Sequence, residues 1–140
     1  MHYSAESLEQ IGTFLLLFVF WGGGLVNVLS WNTARRYLES KGFVNSSSLV
    51  LLVAILWQFI GATLVIVPYT ADLGCFLLIL FTILANLKFY SFWKMEGLER
   101  YINCIFFLSN IGVIGGLLLI WARIHELRFP LEVKIVELLF

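Results

Sequence analysis

Residues 49–67 read LVLLVAILWQFIGATLVIV, and residues 68–72 close the run with PYTAD. The run carries no charge, and only Gln58 and Thr63 interrupt its apolar character. Its length, about 20 residues, matches what a helix needs to cross about 30 Å of hydrocarbon at about 1.5 Å per residue. Backbone groups in lipid must be paired within the segment, so the run is expected to be a membrane-spanning α-helix. The short PYTAD turn then makes the next apolar run an antiparallel neighbour.

Three further stretches of the same kind lie at residues 11–30, 73–93 and 102–121. None carries a charge in its central part. Runs such as 14–20 and 77–81 are apolar at successive positions, which argues against the period-two alternation of a membrane β-barrel. Across the chain 61% of residues are hydrophobic and 13% charged, whereas a soluble domain carries about a quarter charged residues. A soluble fold of 140 residues has too little interior for that much apolar surface. The expected fold is all-α: a four-transmembrane-helix bundle, residues 1–121, followed by an amphipathic C-terminal tail, residues 122–140. The N-terminus has Glu6 and Glu9 and lacks the positive region of a signal peptide, so the first span is expected to stay.

The connection after the first span contains Asn32-Thr33 as a helix start, then Ala34 to Lys41, then Gly42 as a stop. Ala34, Tyr37 and Leu38 share one side, and Arg35, Arg36 and Glu39 fall mostly on the others. This reads as a short interfacial helix between helices one and two, with a solvated loop as the alternative. The tail mixes Glu132, Lys134 and Glu137 with apolar residues around Pro130, too short to span; helix and strand both stay open.

Six lysines and arginines fall on the side of the inter-helix loops (35, 36, 41, 88, 94, 100) and three on the side of the termini (123, 128, 134). The positive-inside rule then puts the termini outside. Below, these faces are the loop side and the terminal side.

Glycines at 22–24, 61, 112, 115 and 116 are candidate packing positions, because small residues let helices approach closely in lipid. Clearing space for a ligand and homo-oligomer contacts are the other readings. The amides Asn27, Gln58, Asn86 and Asn110 fall at one depth, in the loop-side half. An amide left unpaired in lipid is costly, so they are expected to face inward and converge. The favoured outcome is a closed, fully paired cluster. The alternative is a pocket for a small amphipathic molecule, quinone or lipid, with Tyr90 and Trp93 among its aromatics. A small transporter is a third reading, weakened by the lack of a deep charge. Cys75 and Cys104 lie near opposite faces, too far apart for a disulfide. His2 and His125 lie outside the spans, so no haem or metal set is expected. No nucleophile has a nearby base, so a self-sufficient enzyme is not expected.

Several motifs resemble the DoxX family of small four-helix membrane proteins. Phe20-Trp-Gly-Gly-Gly24-Leu-Val-Asn27 resembles its Phe-x-x-x-Gly-x-x-Lys. Arg36-Tyr-Leu-Glu-Ser-Lys-Gly42 is similar to its loop helix. Trp57-Gln58-Phe-Ile-Gly61-Ala62 is similar to its Leu-Glu-x-x-Gly-Gly, and Phe89-Tyr-Ser-Phe-Trp93 to the aromatic end of its third helix. Ser109-Asn110-Ile-Gly-Val-Ile-Gly115-Gly116 resembles Lys-Asn-x-x-x-x-Gly-Gly. Asn27, Gln58 and Ser109 replace three charged residues of that pattern, and losing all three together strands no partner. The resemblance implies a non-catalytic subunit or accessory protein in a bacterial cytoplasmic membrane, serving a redox protein partner in thiol or sulfur oxidation linked to quinone.

Overall fold

The computed structural model describes residues 4–139, with side chains described through Glu126. It is all-helical: α1 (Ala5–Leu29), α2 (Trp31–Ser40), α3 (Ser47–Ile66), α4 (Ala71–Phe89), a 3-10 turn at Phe92–Lys94, and α5 (Gly97–Leu139). Four of the helices, α1, α3, α4 and α5, are long and apolar enough to cross a membrane. The protein is a multi-pass membrane protein.

α1 starts where the Ser4 hydroxyl accepts from the Ser7 backbone N–H at 3.2 Å, satisfying one of the free donors of the first turn. It ends at Ser30, and α2 follows directly, its N-cap being Ser30 rather than the expected Asn32-Thr33. Leu38 is buried on α2's inner side, against Leu51 and Ile55 of α3. Arg35 and Glu39 pair on the outside at 3.3 Å. Gly42 ends the α2 segment at φ +102°, a left-handed conformation that costs side-chain-bearing residues. The Ser47 hydroxyl donates to Glu39 at 3.0 Å, tying α2 to the start of α3.

α3 is the hub. It packs against α1, α2 and α4, while α5 packs mainly on α4 and only sparsely on α1. The tightest crossing joins α3 and α4 on the terminal side. A Cβ on Gly74 would sit 2.5 Å from the Val65 backbone nitrogen and 2.9 Å from the Gly61 carbonyl oxygen. A Cβ on Gly61 would meet Leu78 at 2.7 Å. Around this crossing lies the main core, with Leu17, Leu78, Leu117 and Cys75 wholly buried. α1 and α5 meet here too, with Leu16 against Gly116 and Glu9 paired with Arg123 at 3.1 Å.

The expected glycine contacts divide. Gly23, Gly24, Gly61 and Gly116 all face another helix, but Gly22 meets only Phe18 of its own helix. No described residue lies within 4 Å of a Cβ on Gly112 or Gly115, so among the described residues they are not packing contacts. Gly74 was not singled out by its sequence, because it stands alone in an apolar run. Cys75 and Cys104 are both free.

α5 continues through Trp121 without a break to Leu139 as helical backbone, so the tail is helix rather than strand. Its expected amphipathic placement rests on side chains outside the described residues.

Candidate functional site

Near the middle of the bundle α3 and α4 are held by one polar contact. The Trp57 indole N–H donates to the Leu77 carbonyl at 2.8 Å, and its ring lies against Phe81, centroids 6.0 Å apart. On the loop side of this contact lies a cavity of about 820 Å³. Its walls come from every helix. Phe20, Gly23 and Asn27 belong to α1, Tyr37 and Leu38 to α2, and Ala54, Trp57 and Gln58 to α3. Phe81, Thr82, Ala85 and Lys88 belong to α4, and Asn110 and Val113 to α5. α2 covers its loop-side end.

The cavity is open sideways in two directions. Between α3 and α4 its lining includes the exposed Leu49, Val53 and Leu84. On α1, toward the sparse seam with α5, it includes the exposed Val19 and Val26. Both directions face the lipid phase of a bilayer.

The four amides do not close into one network. Asn110 donates to the Asn86 side-chain oxygen at 2.7 Å, and Asn86 donates to the Phe107 carbonyl at 3.2 Å. Asn86 is buried behind the cavity wall, and Asn110 reaches the cavity's edge. Gln58 is only 7% exposed and lines the cavity, yet it makes no hydrogen bond to any described residue. Its oxygen lies 3.0 Å from where a Cβ on Gly23 would stand, so a side chain at position 23 would press on that amide and shift it by a few tenths of an ångström. Asn27, half-buried, also lines the cavity without a hydrogen bond to a described residue. The expected closed cluster without a void is therefore corrected. One amide pair is closed, and two amides face an open space. The residues at the contact differ: Gly61 and Gly74 meet on the terminal side, and the Trp57 and Phe81 rings stand between α3 and α4 here.

The aromatics divide as well. Tyr90 lines the cavity and packs against Phe106, centroids 5.5 Å apart. Trp93 does not line it. It is 50% exposed and meets Phe92 and Phe107 edge-on. α4 stops at Phe89, and the 3-10 turn carries Trp93 off the register a longer helix would have given it.

Besides Trp57, three polar cavity residues were missed as site candidates. Thr82 turns its hydroxyl to the Leu78 carbonyl at 2.8 Å, so it offers its lone pairs rather than a free donor. Tyr37 packs on Phe89, centroids 6.0 Å apart. Burial first, then Tyr90 and Glu99, push its phenol pKa above the usual value. Lys88 is the third, and the cavity's described lining contains no other Asp, Glu, Lys or Arg. Phe81, Ala85 and Lys88 follow i, i+4, i+7 spacing, the pattern of one helix face, and that was the signal available for Lys88.

Compared with known families, residues 1–128 match the model of the SURF4 family. The DoxX resemblance is overturned by this match. Its motifs were short, glycine- and aromatic-rich strings that many membrane helices share, and three of their charged positions were already neutral here. The redox partner and bacterial setting rested on that resemblance alone. No curated protein and no solved structure matches the chain.

Proposed function

The chain belongs to the SURF4 family, and from that premise we propose that it is an intramembrane binding protein for an amphipathic molecule that enters from the bilayer. The observation that carries this reading is Gln58, a buried amide that faces the cavity with no partner among the described residues. Its amide atoms open onto the cavity, so a polar group on a bound molecule can pair with them. The cavity's size supports the reading, since small-molecule sites span roughly 300–1,000 Å³. So does its lining, which is mostly apolar with a few placed polar groups. Side openings toward lipid suit a ligand already dissolved in the membrane.

Native mass spectrometry of gently solubilised protein tests the proposal. The wild type is expected to retain an adduct of small-molecule mass, and extraction then identifies it as an acyl lipid, a quinone or another amphiphile. Ala54→Phe puts a ring into the cavity. It is expected to remove the adduct while the protein still elutes as a single sharp species. An adduct retained in full by that variant, or a bare wild-type chain, would overturn the proposal.

A further inference from the structure

Lys88 lies in the last turn of α4, at the loop-side end of the cavity it lines. Its ammonium sits 4.8 Å from the centroid of the Phe43 ring and makes no ion pair with a described residue. The nearby acids are engaged elsewhere: Glu39 with Arg35 and Ser47, and Glu99 with Lys41 at 3.5 Å. Deeper in the cavity stands the open amide of Gln58. Trp57 touches Phe81, so Gln58 lies near the level of residue 81. Lys88 is seven residues further along α4, about 10 Å away at about 1.5 Å per residue. The cavity therefore offers an unpaired cation at its mouth, an unpaired amide about 10 Å below, and apolar walls between them.

Resting on the binding reading above, we propose that the occupant is an anionic amphiphile. Its acidic head pairs with Lys88 at the loop-side mouth, and Gln58 hydrogen-bonds a neutral polar group further along the molecule. The head is a carboxylate or a phosphodiester, since an ammonium point charge takes either.

Trp57 reports on this directly, because it lines the cavity and brominated acyl chains quench indole fluorescence on contact. The full chain is reconstituted in phosphatidylcholine vesicles and titrated separately with brominated phosphatidylglycerol, brominated fatty acid and brominated phosphatidylcholine. The Trp57→Phe protein supplies the background from the other tryptophans. At least one anionic probe is expected to quench Trp57 at about fivefold lower mole fraction than the phosphatidylcholine probe, the effect of one lysine on an anionic lipid. Which probe does so separates the phosphodiester from the carboxylate. Lys88→Gln is expected to erase the preference, Lys88→Arg to keep it, and added salt to weaken it in the unmutated protein. Equal quenching by charged and neutral probes, or a preference that survives Lys88→Gln, overturns the anionic assignment and leaves the binding reading standing. No Trp57-specific quenching by any probe also overturns the anionic assignment, while the binding reading falls only in native mass spectrometry, with a bare wild-type chain or an adduct retained in full by Ala54→Phe.

Discussion

Along α3, two stretches less than three turns apart have opposite surroundings. Gly61, Ala62 and Val65 lie in the contact with α4, where Gly74 brings the two backbones together and Leu78 fills what space is left. Val50, Ala54 and Trp57 border the cavity, across which Phe81 and Ala85 stand on α4. Both stretches are equally apolar, so hydrophobicity does not separate them. In lipid the apolar effect does not press helices together, and close contact forms where small residues permit it. The terminal side has glycine at matching positions of both helices. The loop side has two aromatic rings at the corresponding place. Closed core and open cavity differ by that exchange of glycine for ring.

The contrast can be broken first at its tightest point. Gly74→Ala places a methyl against the backbone of Val65 and Gly61, and backbone cannot swing aside. Overpacking of this sort costs about 3 kcal/mol at the upper end of its usual range. Thermal unfolding in detergent should show a marked loss of stability, and an unchanged midpoint would remove the distinction between the two halves. Next in size is Asn110→Leu, which deletes the bond to Asn86 and leaves Asn86 its bond to Phe107. Interhelical hydrogen bonds in membranes average about 0.6 kcal/mol, with about 1.7 the upper value. The loss should fall in that interval, and one above it would mean that this α4–α5 amide pair rivals the α3–α4 glycine crossing in holding the bundle together.

Glu99→Gln removes the link from α5 to Lys41 at the end of α2. Glu99's side chain is 62% exposed, so the effect should stay below about 1 kcal/mol and shrink with salt. A larger, salt-insensitive effect would show that α2 is clamped over the cavity by this pair. Smallest of all, Gly112→Ala and Gly115→Ala meet no described residue within 4 Å and should leave unfolding unchanged. Cross-linking and sedimentation of the same variants sharpen the point: a loss of dimer would assign those glycines to contact between copies.

The spans were legible because each is an uncharged apolar run of membrane length, and α3 and α4 lie within two residues of the ends expected for them at three of four boundaries. The exception is the end of α4. Phe89 to Trp93 continues the aromatic pattern, but the backbone leaves helical geometry at Tyr90, and no proline or glycine marks the place. Trp93 was misplaced for that reason. The short helix after α1 was readable from Ala34, Leu38 and Gly42. The depth of the amides was readable from chain direction, and it puts Asn86 level with Asn110. Whether Gln58 meets a partner or a space depends on what stands between α3 and α4. That is a pair of rings in one half and a pair of glycines in the other, each pair shared between the two helices, and no single run of sequence displays it.

The Trp57 indole stands at the boundary between the two halves of the α3–α4 pair, bonded to the Leu77 carbonyl. On one side the helices are pinned by backbone contact at Gly74 and cannot close further. On the other, beyond Phe81, they are spaced by side chains alone. The floor of the cavity is thus set by backbone and its mouth by side chains: Asn86 fastens that end of α4 to α5, and Phe89 packs it against Leu38 and Leu51.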